Sequence, residues 1–115
     1  MAFQGSCHCG AVKFSVDADL PKQAMSCNCS ICRRKGALMA FFPVNKVKVE
    51  GADALKGYQF NKHRLTHWFC TTCGIHPFGG GTGPDGTEMR AINLRCVPDV
   101  DLDALAIQKF DGASV

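Results

Sequence analysis

The sequence predicts a small, mainly β fold of short antiparallel strands with one or two short helical turns. Two observations carry that expectation. Apolar residues alternate with polar ones over short runs, the period of a half-buried strand, as in Val12, Phe14 and Val16 against Lys13 and Ser15. Glycine, proline and aspartate then punctuate the chain before any helical period can establish itself. A third observation, the clustering of cysteines, bears on what ties the strands together.

Taken in order, residues 11–16 form the first clear strand, running out of the pair Cys7 and Cys9. Residues 17–22, with Pro21, read as a turn, and residues 23–26 lead into Cys27, Cys29 and Cys32. Ser30 has the chemistry of a helix N-cap and Gly36 that of a terminator, so one or two helical turns are expected between them. Residues 38–42 are almost wholly apolar and stop at Pro43, which reads as a core strand. Residues 46–50 alternate and form a more exposed strand ended by Gly51. A single turn over 52–55, a strand over 58–60 and an extended run over 63–69 follow. The last of these leads into Cys70-Thr71-Thr72-Cys73-Gly74. The glycine-rich stretch 79–86 lacks the Gly-Lys-Ser/Thr ending of a phosphate loop and reads as a flexible hairpin connection. Residues 89–97 are the last clear strand, with Ile92, Leu94 and Cys96 on its apolar face. The acidic stretch 98–105 and a tail over 107–115 carry no strong period.

The cysteines carry the chemistry. Disulfides use thiols two at a time and need Cα atoms roughly 4.4–6.8 Å apart. Three thiols within Cys27-Asn28-Cys29-Ser30-Ile31-Cys32 suit one soft or borderline metal ion far better, with zinc the default. Nearby ligands cost least loop-closure entropy, so Cys27, Cys29 and Cys32 chelate naturally as a unit. Cys7 and Cys9 then combine with Cys70 and Cys73 to close a second site of four sulfurs. A site with four sulfurs is structural in character, whereas three leave a position for water or substrate, the arrangement of catalytic zinc. Spacing alone does not fix this partition. His63, His67 or His76 could supply a fourth ligand to the three-sulfur site, with His67 and His76 the two weighed most, His8 is expected to face away from the metal, and Cys96 travels with the core as a small hydrophobe.

The bulk numbers restrict the alternatives. A length of 115 residues, 46% hydrophobic and 20% charged, predicts one globular domain over residues 1–115. No signal-like start and no apolar run long enough to span a bilayer is visible, so thiols held by metal in a reducing cytoplasm are expected, and no membrane. The formal charge of +3 treats thiols as neutral; seven ligating thiolates and two divalent ions would bring it to about zero. Nucleic acid is therefore not the expected partner, although the short basic runs Arg33-Arg34-Lys35 and Lys62-His63-Arg64 leave a binding module as an alternative.

The segments Gly5-Ser6-Cys7-His8-Cys9-Gly10-Ala11-Val12, Cys27-Asn28-Cys29-Ser30-Ile31-Cys32, His67-Trp68-Phe69-Cys70-Thr71-Thr72-Cys73-Gly74 and Asn93-Leu94-Arg95-Cys96 together resemble the glutathione-dependent formaldehyde-activating enzyme family. That family also includes the C-terminal domain of centromere protein V. The resemblance runs across nearly the whole chain, through Asp111-Gly112. It implies a small, zinc-bound, tent-like β fold with two zinc ions. One would be structural, on Cys7, Cys9, Cys70 and Cys73, and one catalytic, on Cys27, Cys29 and Cys32. It also implies a carbon–sulfur lyase activity, the reversible joining of glutathione or a related thiol to formaldehyde or a small aldehyde as S-hydroxymethylglutathione. Arg33, Arg34 or Lys35, next to the three-sulfur site, is expected to hold a glutathione carboxylate. The alternatives to catalysis are a zinc-stabilised binding module and a zinc or redox sensor whose triplet releases its metal on oxidation.

Overall fold

In the computed structural model, which describes residues 2–59, 65–83 and 85–114, two β-sheets carry the fold. The first has three strands in the order β1 (Phe3–Ser6), β2 (Lys13–Val16) and β5 (Val47–Glu50), all antiparallel. The second has seven. They are β3 (Gln23–Cys27), β4 (Met39–Pro43), β6 (Leu55–Tyr58), β7 (Leu65–Cys70), β8 (Phe78–Thr82), β9 (Glu88–Asn93) and β10 (Ala106–Phe110), in the spatial order β10-β3-β4-β9-β8-β7-β6. A four-residue helix, α1 (Cys32–Lys35), and several 3-10 turns complete the described chain, so the class is mainly β.

The alternation in β2 orients the first sheet. Val12, Phe14 and Val16 are all buried, while Lys13 faces out. Phe3 meets Phe42 edge-on at 5.6 Å between ring centroids, and Phe14 meets Phe78 at 6.2 Å, which joins the two sheets. Ile92 and Leu94 are fully buried in the same core. Burying an aliphatic side chain of this size stabilises by roughly 1.5–3 kcal/mol. Ala40 and Phe42 of β4 and Ile92 of β9 thus serve the core, and Met39, Phe41, Met89 and Ala91 face the other way.

Several expectations need correction. Ile31, not Ser30, precedes α1 as its cap residue, and no side chain caps the helix. Gly36 does terminate it, at φ 69°, with its amide donating to the Cys32 carbonyl at 2.9 Å. Phe41 is 47% exposed, so the apolar run 38–42 is not a core strand on both faces. The strand expected over 58–60 lies earlier, as β6, and His63 with its basic neighbours falls outside the described residues.

The largest departure concerns the glycine run. Gly79, Gly80 and Gly81 lie inside β8, paired with β7 on one side and β9 on the other, not in a connection. Glycine is depleted in strands for want of a side chain to pack, and here that lack is used. A Cβ on Gly80 would stand 2.7 Å from Trp68 Cζ3 and 2.9 Å from Arg90 Nη1. The Arg90 guanidinium lies over the Trp68 ring at 4.9 Å, and this stack occupies the space. The strand expected over 89–97 ends at Asn93, and Leu94–Cys96 turn as a 3-10 helix. The supposed tail contains β10, which pairs parallel with β3, an exception to the antiparallel pattern.

Candidate metal centre and adjoining cavity

Two groups of thiols come together. The Sγ atoms of Cys7, Cys9, Cys70 and Cys73 lie within 4.8 Å of one another, and so do those of Cys27, Cys29 and Cys32. Each group could hold a metal ion, and an all-sulfur donor set is consistent with zinc. Among the described residues, no histidine nitrogen joins either group. Cys96 stays apart, its Sγ donating weakly to the His76 carbonyl at 3.7 Å, and burial pushes its thiol up to about 11.

The four-sulfur group is built from two turns brought face to face. The Cys7–Val12 turn closes by Cys7 N donating to Val12 O at 3.0 Å, and the Val12 amide reaches Cys7 Sγ at 3.4 Å. The 70–74 turn closes by Gly74 N donating to Cys70 O at 2.8 Å, with Gly74 at φ 81°. Cys9 Sγ reaches both Cys7 Sγ and Cys70 Sγ at 3.6 Å. The Ile75 and Cys9 amides aim at Cys73 and pull its thiol down to about 6, and the Cys73 amide lowers Cys70. The Ala11 amide favours the Cys9 thiolate, yet desolvation and the neighbouring sulfurs push that thiol up to about 11.

The three-sulfur group sits where β3 runs into α1. Desolvation works against the Cys29 thiolate, but the Cys32 amide, the Cys32 and Cys27 thiols and the Ile31 amide outweigh it and hold that thiol below its ordinary value. Cys32 is buried and lies beside Cys29, which together push it up to about 12. One turn further on, Lys35 folds inward. Its Nζ donates to His67 Nδ1 at 2.7 Å and to His76 Nε2 at 3.2 Å. His76 Nδ1 must carry a proton, since it contacts the Trp68 carbonyl at 2.7 Å. Desolvation, reinforced by the Lys35 charge, pulls both imidazoles down to about 4, so both are neutral near pH 7. Burial lowers Lys35 itself, and the three thiols oppose that shift.

Cys27, Cys29 and Cys32 open onto a cavity of about 230 Å³. Its walls are apolar: Met25, Met39, Met89, Phe41, Leu65 and Phe110, with His67 and His76 beside them. The floor is β8, where Gly79 and Gly81 face the cavity between His67 and Leu65 of β7 and Ala91 and Met89 of β9. Arg33 and Arg34 are exposed and do not line it, and Arg34 Nη1 is engaged with the Ser30 carbonyl at 2.7 Å.

The model of the family described as "Glutathione-dependent formaldehyde-activating enzyme" matches residues 2–104. The chain belongs to that family. A Halomonas elongata protein that provisionally carries the same name is 31% identical, over 74% of this chain and 68% of its own length. A crystal structure of a Rhodobacter sphaeroides protein is similar at TM-score 0.77 and 33% identity, covering 91% of this chain and 99% of the other.

In this member of the glutathione-dependent formaldehyde-activating enzyme family, the residues beyond the matched segment also reach the three-sulfur loop. Asn28 Nδ2 donates to Asp111 Oδ1 at 3.0 Å, the Ala113 amide donates to Asn28 Oδ1 at 2.9 Å, and the Asn28 amide donates to the Phe110 carbonyl at 3.2 Å. Gly112 lies so close that a Cβ there would stand 2.5 Å from Cys27 Sγ. Sequence reasoning missed this clamp and the Lys35–His67–His76 cluster. A faint signal existed for each: an Asp-Gly pair near the end of the chain, and one lysine at i+3 from a cysteine on a helix.

Proposed function

We propose that this chain is a zinc-dependent carbon–sulfur lyase that reversibly adds glutathione, or a related thiol, to formaldehyde or another small aldehyde. With glutathione and formaldehyde the product is S-hydroxymethylglutathione. Cys7, Cys9, Cys70 and Cys73 would hold a structural zinc, and Cys27, Cys29 and Cys32 a catalytic one. The observation that carries the reading is the pairing of a three-thiol group, short of one ligand, with a cavity that opens directly onto it. Residues 1–115 act as one domain on this reading, in a compartment reducing enough to keep seven thiols free, such as the cytoplasm.

A divalent ion held by the three sulfurs supplies, when bound, positive charge that favours a thiolate or polarises an aldehyde oxygen. The chain's own residues do the rest. The Ile31 and Cys32 amides keep Cys29 a good thiolate ligand. The apolar walls exclude water, which strengthens every charge interaction at the sulfurs. Lys35 holds the His67 and His76 rings in one orientation, burial with the Lys35 charge keeps them neutral, and the neutral His67, accepting at Nδ1, keeps its proton on Nε2. In the addition, the substrate sulfur bonds to the carbonyl carbon, the carbonyl pair moves to oxygen, and the thiol proton ends on that oxygen. No oxidant or reductant is needed.

NMR exchange spectroscopy of formaldehyde with glutathione tests the proposal. Zinc-loaded protein is expected to accelerate exchange above the spontaneous rate, and Cys29→Ser to abolish the acceleration. Equal rates with and without the wild-type protein, for every thiol tried, would end the proposal.

A further inference from the structure

The cavity is the wrong size and polarity for the smallest aldehyde. A molecule of liquid water occupies about 30 Å³, and formaldehyde, with two heavy atoms, needs little more. An apolar cavity of about 150 Å³ takes a benzene ring. At about 230 Å³ this one has room for a ring or chain of roughly six to nine heavy atoms. The opening is apolar too: Phe41, Leu65 and Phe110 line the cavity and remain 47%, 55% and 45% exposed. Glutathione carries two carboxylates and an ammonium, and desolvating such charges without partners costs several kcal/mol. Among the described residues, Arg33 and Arg34 stay outside the cavity and no arginine lines it to pair with a carboxylate. A polar thiol must therefore reach the sulfurs from the mouth, and the cavity is left for the other reactant.

We infer that the preferred aldehyde partner is, over formaldehyde, an apolar aldehyde of about six to eight carbons, whose chain or ring lies over Gly79 and Gly81 while its carbonyl carbon meets the thiol beside Cys27, Cys29 and Cys32. The inference rests on the lyase reading for the reaction and on the cavity alone for the specificity. The missing side chain at Gly79 helps to make the cavity: a Cβ there would stand 3.1 Å from the Thr66 carbonyl oxygen and 3.7 Å from His76 Cε1, on the cavity's lining. The bond changes are those of the addition already described, with an alkyl or aryl group on the carbonyl carbon in place of hydrogen.

The decisive measurement uses ligands that cannot react. Three of the chain's four methionines, Met25, Met39 and Met89, line the cavity, so their labelled methyl groups report on its occupancy by NMR. Primary alcohols from methanol to octanol, and benzyl alcohol, are titrated into the protein as purified. Shifts of those three methyls are expected, with affinity rising about fourfold per added methylene up to six to eight carbons and then levelling. Ala91→Phe is expected to remove the chain-length dependence. Absent shifts, or affinity independent of length, would overturn the inference.

A kinetic arm separates the two readings. Glutathione with hexanal is expected to be accelerated at least tenfold more than glutathione with formaldehyde. Acceleration confined to formaldehyde, or greatest for hexanethiol with formaldehyde, would overturn the inference and leave the lyase standing. Length-dependent alcohol binding without acceleration of any aldehyde would leave the apolar site standing and remove the lyase.

Discussion

The two thiol groups differ in what surrounds them more than in what they are made of. The four-sulfur group joins turns 61 residues apart in sequence, as the Cys9–Cys70 contact records, and lies at the ends of strands. The three-sulfur group is local, packed against Ala37, Met39 and Ala91, and opens on a cavity. An ion in the first would tie distant strands together, and one in the second would keep a corner for an incoming molecule. The contrast teaches that ligand number and sequence separation act together: distant ligands make a staple, and adjacent ligands leave room for chemistry.

The sharpest way to break that contrast is to remove one sulfur from each group. Structural zinc sites contribute roughly 10–16 kcal/mol of apparent binding energy, comparable with the whole stability of a domain at about 5–15 kcal/mol. Cys70→Ser is therefore expected to leave the chain largely unfolded by circular dichroism. Cys29→Ser should stay folded, hold one zinc per chain by elemental analysis, and lose activity at least 100-fold. Equal loss of structure in both variants would erase the distinction.

Acid provides the second comparison. Protons and metal compete for the same sulfurs, so a thiol that is protonated in the metal-free state must release its proton on binding. Cys32, pushed up to about 12, does so in the three-sulfur group, and Cys9, at about 11, does so in the other. Affinity at both groups consequently falls as pH falls, by about tenfold per unit for each proton displaced. The four-sulfur group also has Cys73 near 6, still a thiolate at neutral pH, and one more ligand. On lowering the pH, zinc is expected to leave the three-sulfur group first, and a dye-binding assay should resolve two release steps. Release in a single step would show the groups to be equivalent.

A third variant probes only the local group. Gly112→Ala would bring a Cβ to within 2.5 Å of Cys27 Sγ, forcing the loop or the C-terminal turn to move. Supporting residues around metal ligands are commonly worth 10- to 100-fold in affinity. Chelator competition should show a loss of that order for one zinc and no change for the other. An unchanged affinity for both would mean that the Asn28–Asp111 contacts do not position the triplet.

Much of this was legible in the sequence, and the reasons differ by residue. Val12, Phe14 and Val16 announced their face because a strand's period of two leaves no other reading. Loop-closure entropy favours the four-and-three grouping of seven sulfurs that the fold brings together, although spacing alone leaves the partition open. Strand β10 escaped because all five of its residues are exposed at a sheet edge, so nothing alternates. The glycines of β8 read as a loop because propensity describes the average strand, whereas these sit under the Trp68–Arg90 stack and over a cavity. Lys35 read as part of a basic rim because its partners, His67 and His76, lie 32 and 41 residues away. Contacts of that kind leave no local trace.

The smallest expected effect is also a test of the four-and-three division. Cys96 is partly buried, belongs to neither sulfur group, and makes one weak contact with the His76 carbonyl at 3.7 Å. Burial holds it as a thiol near 11, so it neither ligates nor reacts readily at neutral pH. Cys96→Ala removes about one methylene's worth of packing, on the order of 1 kcal/mol. Thermal unfolding should shift by only a few degrees, with two zinc ions per chain retained in the zinc-loaded protein. Loss of an ion from this variant would make the eighth cysteine a ligand and undo the four-and-three division. A small shift with both ions in place would assign Cys96 to packing alone.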